Sequence, residues 1–178
     1  MDPANYDVVG FLNGDVTLPN SFNTAATFKI LLTYANGATI EVNSNYKSED
    51  GETHFGNGIL FTGDDGRIFV ARGKISGAPY ENLSDADKAK INEYIEAELY
   101  GGPVTSHMQN FFDCIANPER LPVSDVFSHA DTMDACHICN INLLLGRDLK
   151  WDPQQKVFVG DDEANKLRTR EQRRKYLA

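Results

Sequence analysis

The sequence is short of cysteine. Three thiols in 178 residues, Cys114, Cys136 and Cys139, are too few and odd in number for a disulfide framework. A reducing compartment, the cytoplasm by default, is therefore expected. No unbroken apolar run reaches about 18 residues, so no membrane-spanning helix is expected. The opening residues, "MDPANYDVVGF", have neither a basic stretch nor a long apolar one. They do not read as a secretory signal, and an export signal of a longer parent would lie upstream. The P-loop, the G-x-S-x-G elbow and the H-E-x-x-H zinc motif are all missing. Cations are scarce until the end of the chain. The first 165 residues carry 11 cations and 25 acids, a net of -14, whereas residues 166–178, "KLRTREQRRKYLA", carry six cations and one acid, a net of +5. An acidic body disfavours nucleic acid as a partner. The tail reads as a solvated segment that pairs with acidic surface of its own chain or of a second copy.

What is present is ordinary globular material, 41% apolar and 24% charged. Its length suits one domain, taken as residues 1–165, followed by the basic tail 166–178. The front of the chain has strand character. In "TFKILLTY", Phe28, Ile30, Leu32 and Tyr34 alternate onto one face. Asn36-Gly37 reads as a two-residue hairpin turn, and Ala38, Ile40 and Val42 line one face of the return strand. "GILFTG" and "RIFVARG" read as a second hairpin around Asp64-Asp65-Gly66. The back of the chain has helix character. Ser84 and Asp87 mark a helix start, and Gly101-Gly102-Pro103 mark its end. "SHMQNFFDCIANP" places Met108, Phe111, Phe112 and Ile115 on one helical face. The longest helix runs from a Ser124 cap to Gly146, with Val126, Ala130, Met133, His137, Ile141 and Leu144 as its apolar stripe. "LKWDPQQKVFVGD" closes as a short hairpin. Strands followed by helices predict an α+β fold, an open-faced mixed or antiparallel sheet with helices packed on one face.

Cys136-x-x-Cys139 invites a zinc or redox reading, but a structural zinc needs about four ligands and only one cysteine pair is present. Redox pairs favour a helix N-terminus, and this pair falls near mid-helix. The two thiols therefore read as small buried hydrophobes and His137 as a histidine hydrogen-bonded in or near the core, with no metal site. Asp125 and His129, four apart, share a helical face and suit acid–base work, although Asp early in a helix is favoured by the dipole alone. "GNGILF" supplies Gly56 and Gly58 of a dinucleotide fingerprint, but Phe61 stands at the third glycine and a strand follows where a helix is needed. Arg72 and Lys74, at a strand exit, are candidates for an anionic or hydroxylated ligand. His107 and Asn110, three apart near a helix start, are candidates for the same pocket, with capping as the competing role.

"NGILFTGDDGRIFVARGKISG", "HMQNFFDCI", "PVSDVFSHADTMDACHICNINLLLGRDLKWDP" and "FVGDDEAN" together resemble the C-terminal domain of the Gfo/Idh/MocA oxidoreductases, in its bacterial branch, over residues 25–176. The resemblance implies a two-domain parent enzyme. A Rossmann domain would bind NAD or NADP. The domain seen here, of the type found at the C-terminus of glyceraldehyde-3-phosphate dehydrogenase, would shape a sugar or polyol pocket and make oligomer contacts. In the family a lysine in an E-K-P motif of the first domain is catalytic, together with a D-x-x-x-H on a helix ahead of the sheet. This sequence has no E-K-P. The Asp125–His129 pair matches a later packing helix, so no catalytic or cofactor-binding residue is assigned here. "LKWDP" would follow as an edge segment, with Trp151 as apolar cover. The chain is thus expected to be inactive alone, to dimerise through an open sheet face, and to need the missing N-terminal Rossmann domain. The alternative is a free-standing module for a small molecule or a protein.

Overall fold

The computed structural model describes residues 6–11, 25, 27–47 and 56–170, with the backbone alone over 6–11. Among these residues lie the strands β1 (Tyr6–Phe11), β2 (Lys29–Tyr34), β3 (Thr39–Asn43), β4 (Ile59–Gly63), β5 (Gly66–Ala71), β6 (Lys74–Ser76), β7 (Leu149–Asp152) and β8 (Val157–Phe158). The helices are α1 (Ala78–Glu81), α2 (Asp85–Tyr94), α3 (His107–Ala116), α4 (Val126–Leu145) and α5 (Asp162–Lys166). The fold is α+β, and every ladder among the described residues is antiparallel. The strands divide into a five-stranded sheet, β3-β2-β1-β7-β8, and a three-stranded sheet, β4-β5-β6. The chain forms two compact units, one of Met1–Tyr46 with Ala130–Ala178 and one of Lys47–His129.

The first unit holds the larger sheet. The alternation read in "TFKILLTY" sets its inner face. Ile30 and Leu32 are buried, and Phe28 and Tyr34 pack against the same core. The turn after β2 is one residue longer than the Asn36-Gly37 pair suggests. Tyr34 N–H donates to Ala38 O and Gly37 N–H to Tyr34 O, with Gly37 at φ 84. This is the three-residue hairpin loop in which a left-handed glycine closes a tight turn. Register survives the extra residue, because Ile40 and Val42 lie opposite Leu32 and Ile30. Strand β1 sits mid-sheet, with Val8 opposite Leu32 on one side and Leu149 on the other. The "LKWDP" segment is therefore interior, and the two-residue β8 forms the edge. Trp151 is core, set edge-to-face on Phe158 with ring centroids 5.0 Å apart.

Helix α4 covers that core with a different face from the one its apolar spacing suggests. Ile138, Cys139, Ile141 and Asn142 are buried, whereas Val126, Met133, His137 and Leu144 are exposed. The buried stripe is turned by about one residue, roughly 100°. What the sheet selects is fit against Leu149, Trp151 and Phe158, and a polar Asn142 is admitted because its Nδ2 donates to Arg147 O at 2.8 Å. The helix is capped by Asp125 and not Ser124, since the Asp125 carboxylate accepts from Phe127 N–H and Ser128 N–H. Gly146, at φ 68, ends it.

The second unit carries the smaller sheet, α1, α2 and α3. Gly63 pairs with Gly66 across the Asp64-Asp65 turn, as the sequence predicts. Ser84 caps α2 by accepting from Asp87 N–H at 3.1 Å, and the helix widens to a π-helical turn over Ile95–Tyr100 before Gly101 stops it in the left-handed region. Only Asn110 and Cys114 are buried among the unit's described residues. The apolar stripe of α3 is on the helix as expected, but it faces outward: Met108, Phe111, Phe112 and Ile115 are 53% to 64% exposed.

Candidate functional site

The four candidate ligand-side residues all fall in the second unit, on two separate elements. Arg72 occupies the two-residue turn between β5 and β6, and Lys74 opens β6, opposite Ala71. Both side chains are exposed, and Gly73 between them takes the left-handed φ of 69 that the turn uses. His107 is the first residue of α3 and is exposed, whereas Asn110 is 2% exposed. The three-residue spacing thus does not put the pair in one environment. Ser106, not either of them, caps the helix by accepting from Gln109 N–H at 3.2 Å. Asn110 Oδ1 accepts from Val123 N–H at 3.0 Å, which fastens the 117–125 loop to α3.

Three polar atoms, on α3 or in the segments next to it in sequence, are not singled out by the sequence. Thr105 Oγ1, Asn110 Nδ2 and Arg120 Nε are buried with no hydrogen-bond partner among the described residues. Arg120 also donates through Nη2 to Tyr100 O, at the end of the π-helical turn. A buried donor without a partner favours water or the oxygen of a ligand or partner. No sequence signal marks these atoms, because their burial is set by tertiary packing. The sequence also holds a second D-x-x-x-H, Asp50 to His54, outside the described residues.

The Asp125–His129 pair is a helix cap. Asp125 accepts from Ser128 Oγ at 2.7 Å as well as from two backbone N–H groups, and the Ser128 hydroxyl with these N–H groups holds its carboxyl below the usual range. His129 meets Asp125 through the helix backbone, N–H to carbonyl. The two thiols of the C-x-x-C differ in surroundings. Cys139 is buried against the sheet, and burial, with a smaller contribution from Cys136, pushes its thiol up to about 11. Cys136 is exposed rather than packed, as is His137, which corrects the expectation that both belong to the core. Cys114 is buried on α3. Among the described residues no three His, Cys, Asp or Glu side chains group as a metal would need.

The described residues do not fit a dinucleotide. A pyrophosphate takes backbone N–H groups at a helix N-terminus that follows a strand and a glycine-rich turn, within a parallel β-α-β unit. Here Gly58 leads into β4, and a Cβ on it would meet Val70 O at 2.5 Å and the Phe69 ring at 2.7 Å. This glycine serves close packing of the small sheet. Glycine is needed again at Gly77, where φ is 125 and a Cβ would lie 2.1 Å from Arg67 O. Ahead of the four-residue α1, Gly77 N–H donates to Glu81 Oε1 at 2.9 Å.

The start of the basic tail is tied to the first unit. Arg168 lies over the Trp151 ring at 5.7 Å, a cation–π contact. Ahead of it, Arg147 bridges Asp161, which caps α5, and Glu163 at 2.9 Å. Residues 171–178 lie outside the described part. No helix among the described residues is long and apolar enough to cross a membrane.

Comparison with protein families places residues 15–178 in one family model, described as the oxidoreductase family, C-terminal alpha/beta domain, of the Gfo/Idh/MocA type. The chain has no match among curated proteins or among solved structures.

Proposed function

Because the chain belongs to the Gfo/Idh/MocA oxidoreductase family through its C-terminal domain, we propose that it is the substrate-side and assembly part of an NAD(P)-dependent enzyme acting on a sugar or polyol. The dinucleotide and the hydride chemistry come from a Rossmann domain, not from these residues. The domain works in the reducing cytoplasm, where three free thiols are stable. Its own contribution is to offer donors to substrate hydroxyls and to hold subunits together.

One observation carries the assembly half of this reading. Ile59, Phe61, Ile68, Val70 and Ile75 alternate onto a single face of the β4-β5-β6 sheet, through the pairs Ile59–Val70, Phe61–Ile68 and Val70–Ile75. None is buried, and Ile59, Phe61 and Ile75 are 46% to 60% exposed. A wholly apolar open face of this kind marks an interaction surface, and a two-fold pairing of copies is the simplest way to cover it. For the substrate half, the support is the set of unpartnered polar atoms on Thr105, Asn110 and Arg120, with exposed His107 on the same helix as Asn110. Arg72 and Lys74, on the separate β5–β6 turn, are further cationic donors for anionic or hydroxylated substrates.

Size-exclusion chromatography with light scattering, run beside an NADH titration, tests this reading. Self-association that is abolished by Phe61→Asp, without saturable NADH binding, is the expected result. A monomer at high concentration, or one unaffected by Phe61→Asp, contradicts the sheet-face assembly.

A further inference from the structure

We infer that Thr105, Asn110 and Arg120 build a carboxylate-binding site, so that the substrate of the reading above is a sugar acid and not a neutral polyol. The sugar part rests on that reading, and the carboxylate part rests on the donors themselves.

Hydrogen bonds fold the chain back on the start of α3. The chain leaves the helix at Asn117, whose N–H donates to Asp113 O at 2.9 Å, and turns at Arg120, whose N–H donates to Asn117 O at 3.0 Å. It then returns along the helix, and Val123 N–H is fastened to Asn110 Oδ1 at 3.0 Å. From the same returning segment the Arg120 side chain reaches the stretch ahead of α3. Its Nη2 donates to Tyr100 O, and its Nε lies 4.0 Å from where a Cβ on Gly101 would stand. Thr105 directly precedes Ser106, the cap of α3. At a helix start the residue before the cap commonly packs on the fourth residue of the helix, and the pair is usually apolar. Here those two places hold Thr105 and Asn110. The three residues thus stand on three short segments that these contacts hold to one end of α3.

Their polar atoms are unused. Thr105 Oγ1, Asn110 Nδ2 and Arg120 Nε are each shut off from solvent without a hydrogen-bond partner among the described residues. Among those residues no ion pair joins Arg120 to an acid, in a chain of net charge -9. Open donors are costly when buried, and most costly on a charged group. The occupant is set by the direction of the bonds. Asn110 Nδ2 and Arg120 Nε can only donate, and the Thr105 hydroxyl alone can do either. A sugar hydroxyl brings a proton of its own, which only Thr105 could take. A carboxylate brings acceptors alone and a charge opposite to that of Arg120, and hydrogen bonds between ionised groups are the strong ones.

Proton–nitrogen correlation NMR on the full chain follows the Asn110 Nδ2 and Arg120 Nε signals directly, during titration with sodium gluconate, with sorbitol and with sodium acetate. Gluconate is expected to move both signals along one saturation curve, while sorbitol, its neutral counterpart, moves neither. Asn110→Asp keeps the oxygen that accepts from Val123 N–H but exchanges the donors for negative charge. Arg120→Lys keeps the charge but loses Nε. Each should weaken gluconate binding by roughly tenfold or more. The native chain decides the matter even where a variant fails to fold. Sorbitol bound as tightly as gluconate overturns the carboxylate site and leaves the polyol reading intact. Acetate bound as tightly as gluconate shows that nothing beyond the carboxylate is held, which overturns the sugar-acid assignment. No saturable shift with any of the three overturns the site and removes the support for the substrate half of the reading above, leaving the assembly half untouched.

Discussion

Single side chains in this protein owe their chemistry to which side of an element they take. Cys136 and Cys139 are three residues apart, yet one is exposed and the other is buried with its thiol pushed up to about 11. At pH 8 the fraction of Cys139 present as thiolate is about a thousandth. Alkylation with iodoacetamide under native conditions should therefore modify Cys136 and spare Cys139, as read by peptide mass analysis. Equal labelling would place Cys139 outside the core. Asp161 shows the opposite effect, where the Arg147 guanidinium first, and the Ala164 N–H next, lower its carboxyl to about 2. Its folded value lies below the ordinary carboxylate value near 4, so its stabilising contribution is complete above about pH 4 and is lost as pH falls toward 2. Asp161→Asn should lower the urea midpoint at pH 7 and converge with the native chain near pH 2. An Asp161→Asn deficit that is the same at both pH values would rule out the ion pair as its cause. The Asp125–His129 spacing was legible, but its role was not, because a capping carboxylate and a catalytic one look alike until the hydrogen bonds to Ser128 are seen.

At the level of elements, the strands read well and the helix faces did not. Alternation in "TFKILLTY" and the Asp64-Asp65-Gly66 turn lead to β2, β4 and β5, since a strand pattern has only two faces to choose between. A helix can be turned continuously. The apolar residues of α4 surround enough of that helix that spacing alone does not say which arc meets the core, and on α3 the one apolar arc faces outward. On α4 the sheet takes Ile138, Cys139, Ile141 and Asn142, and on α3 the buried strip is Asn110 and Cys114. Strand β1 escaped notice because "YDVVGF" is short and lacks strict alternation, and its place between β2 and β7 depends on partners far away in sequence. The β7–β8 hairpin carries much of the first unit's core, so Trp151→Ala should cost about 3–5 kcal/mol in chemical denaturation, through lost contact with Phe158 and the cavity left behind. A loss under about 1 kcal/mol would mean that Trp151 is a surface cover, as an edge segment would have it. In the second unit, Gly77→Ala forces a side chain onto Arg67 O at a positive φ and should destabilise by ~2 kcal/mol or more, read as a lowered thermal midpoint. A native midpoint there would show that α1 can shift without cost.

For the whole molecule, family and fold class were legible because they rest on stretches distributed over most of the chain, and the family model spans residues 15–178. The candidate site was legible only in outline. Arg72, Lys74, His107 and Asn110 fall in one unit, but on a turn and a helix, and the polar atoms left without partners near α3 arise from burial that no motif encodes. The exposed apolar face of the small sheet and the outward stripe of α3 are the observations on which the proposed assembly role rests. The direct test is isothermal titration of the 178-residue chain with NADH and with NADPH. No saturable heat up to millimolar dinucleotide is the predicted result, consistent with a fold whose glycines serve turns and sheet packing. Stoichiometric binding at micromolar affinity would contradict it, since the pyrophosphate would then have found a seat within these residues.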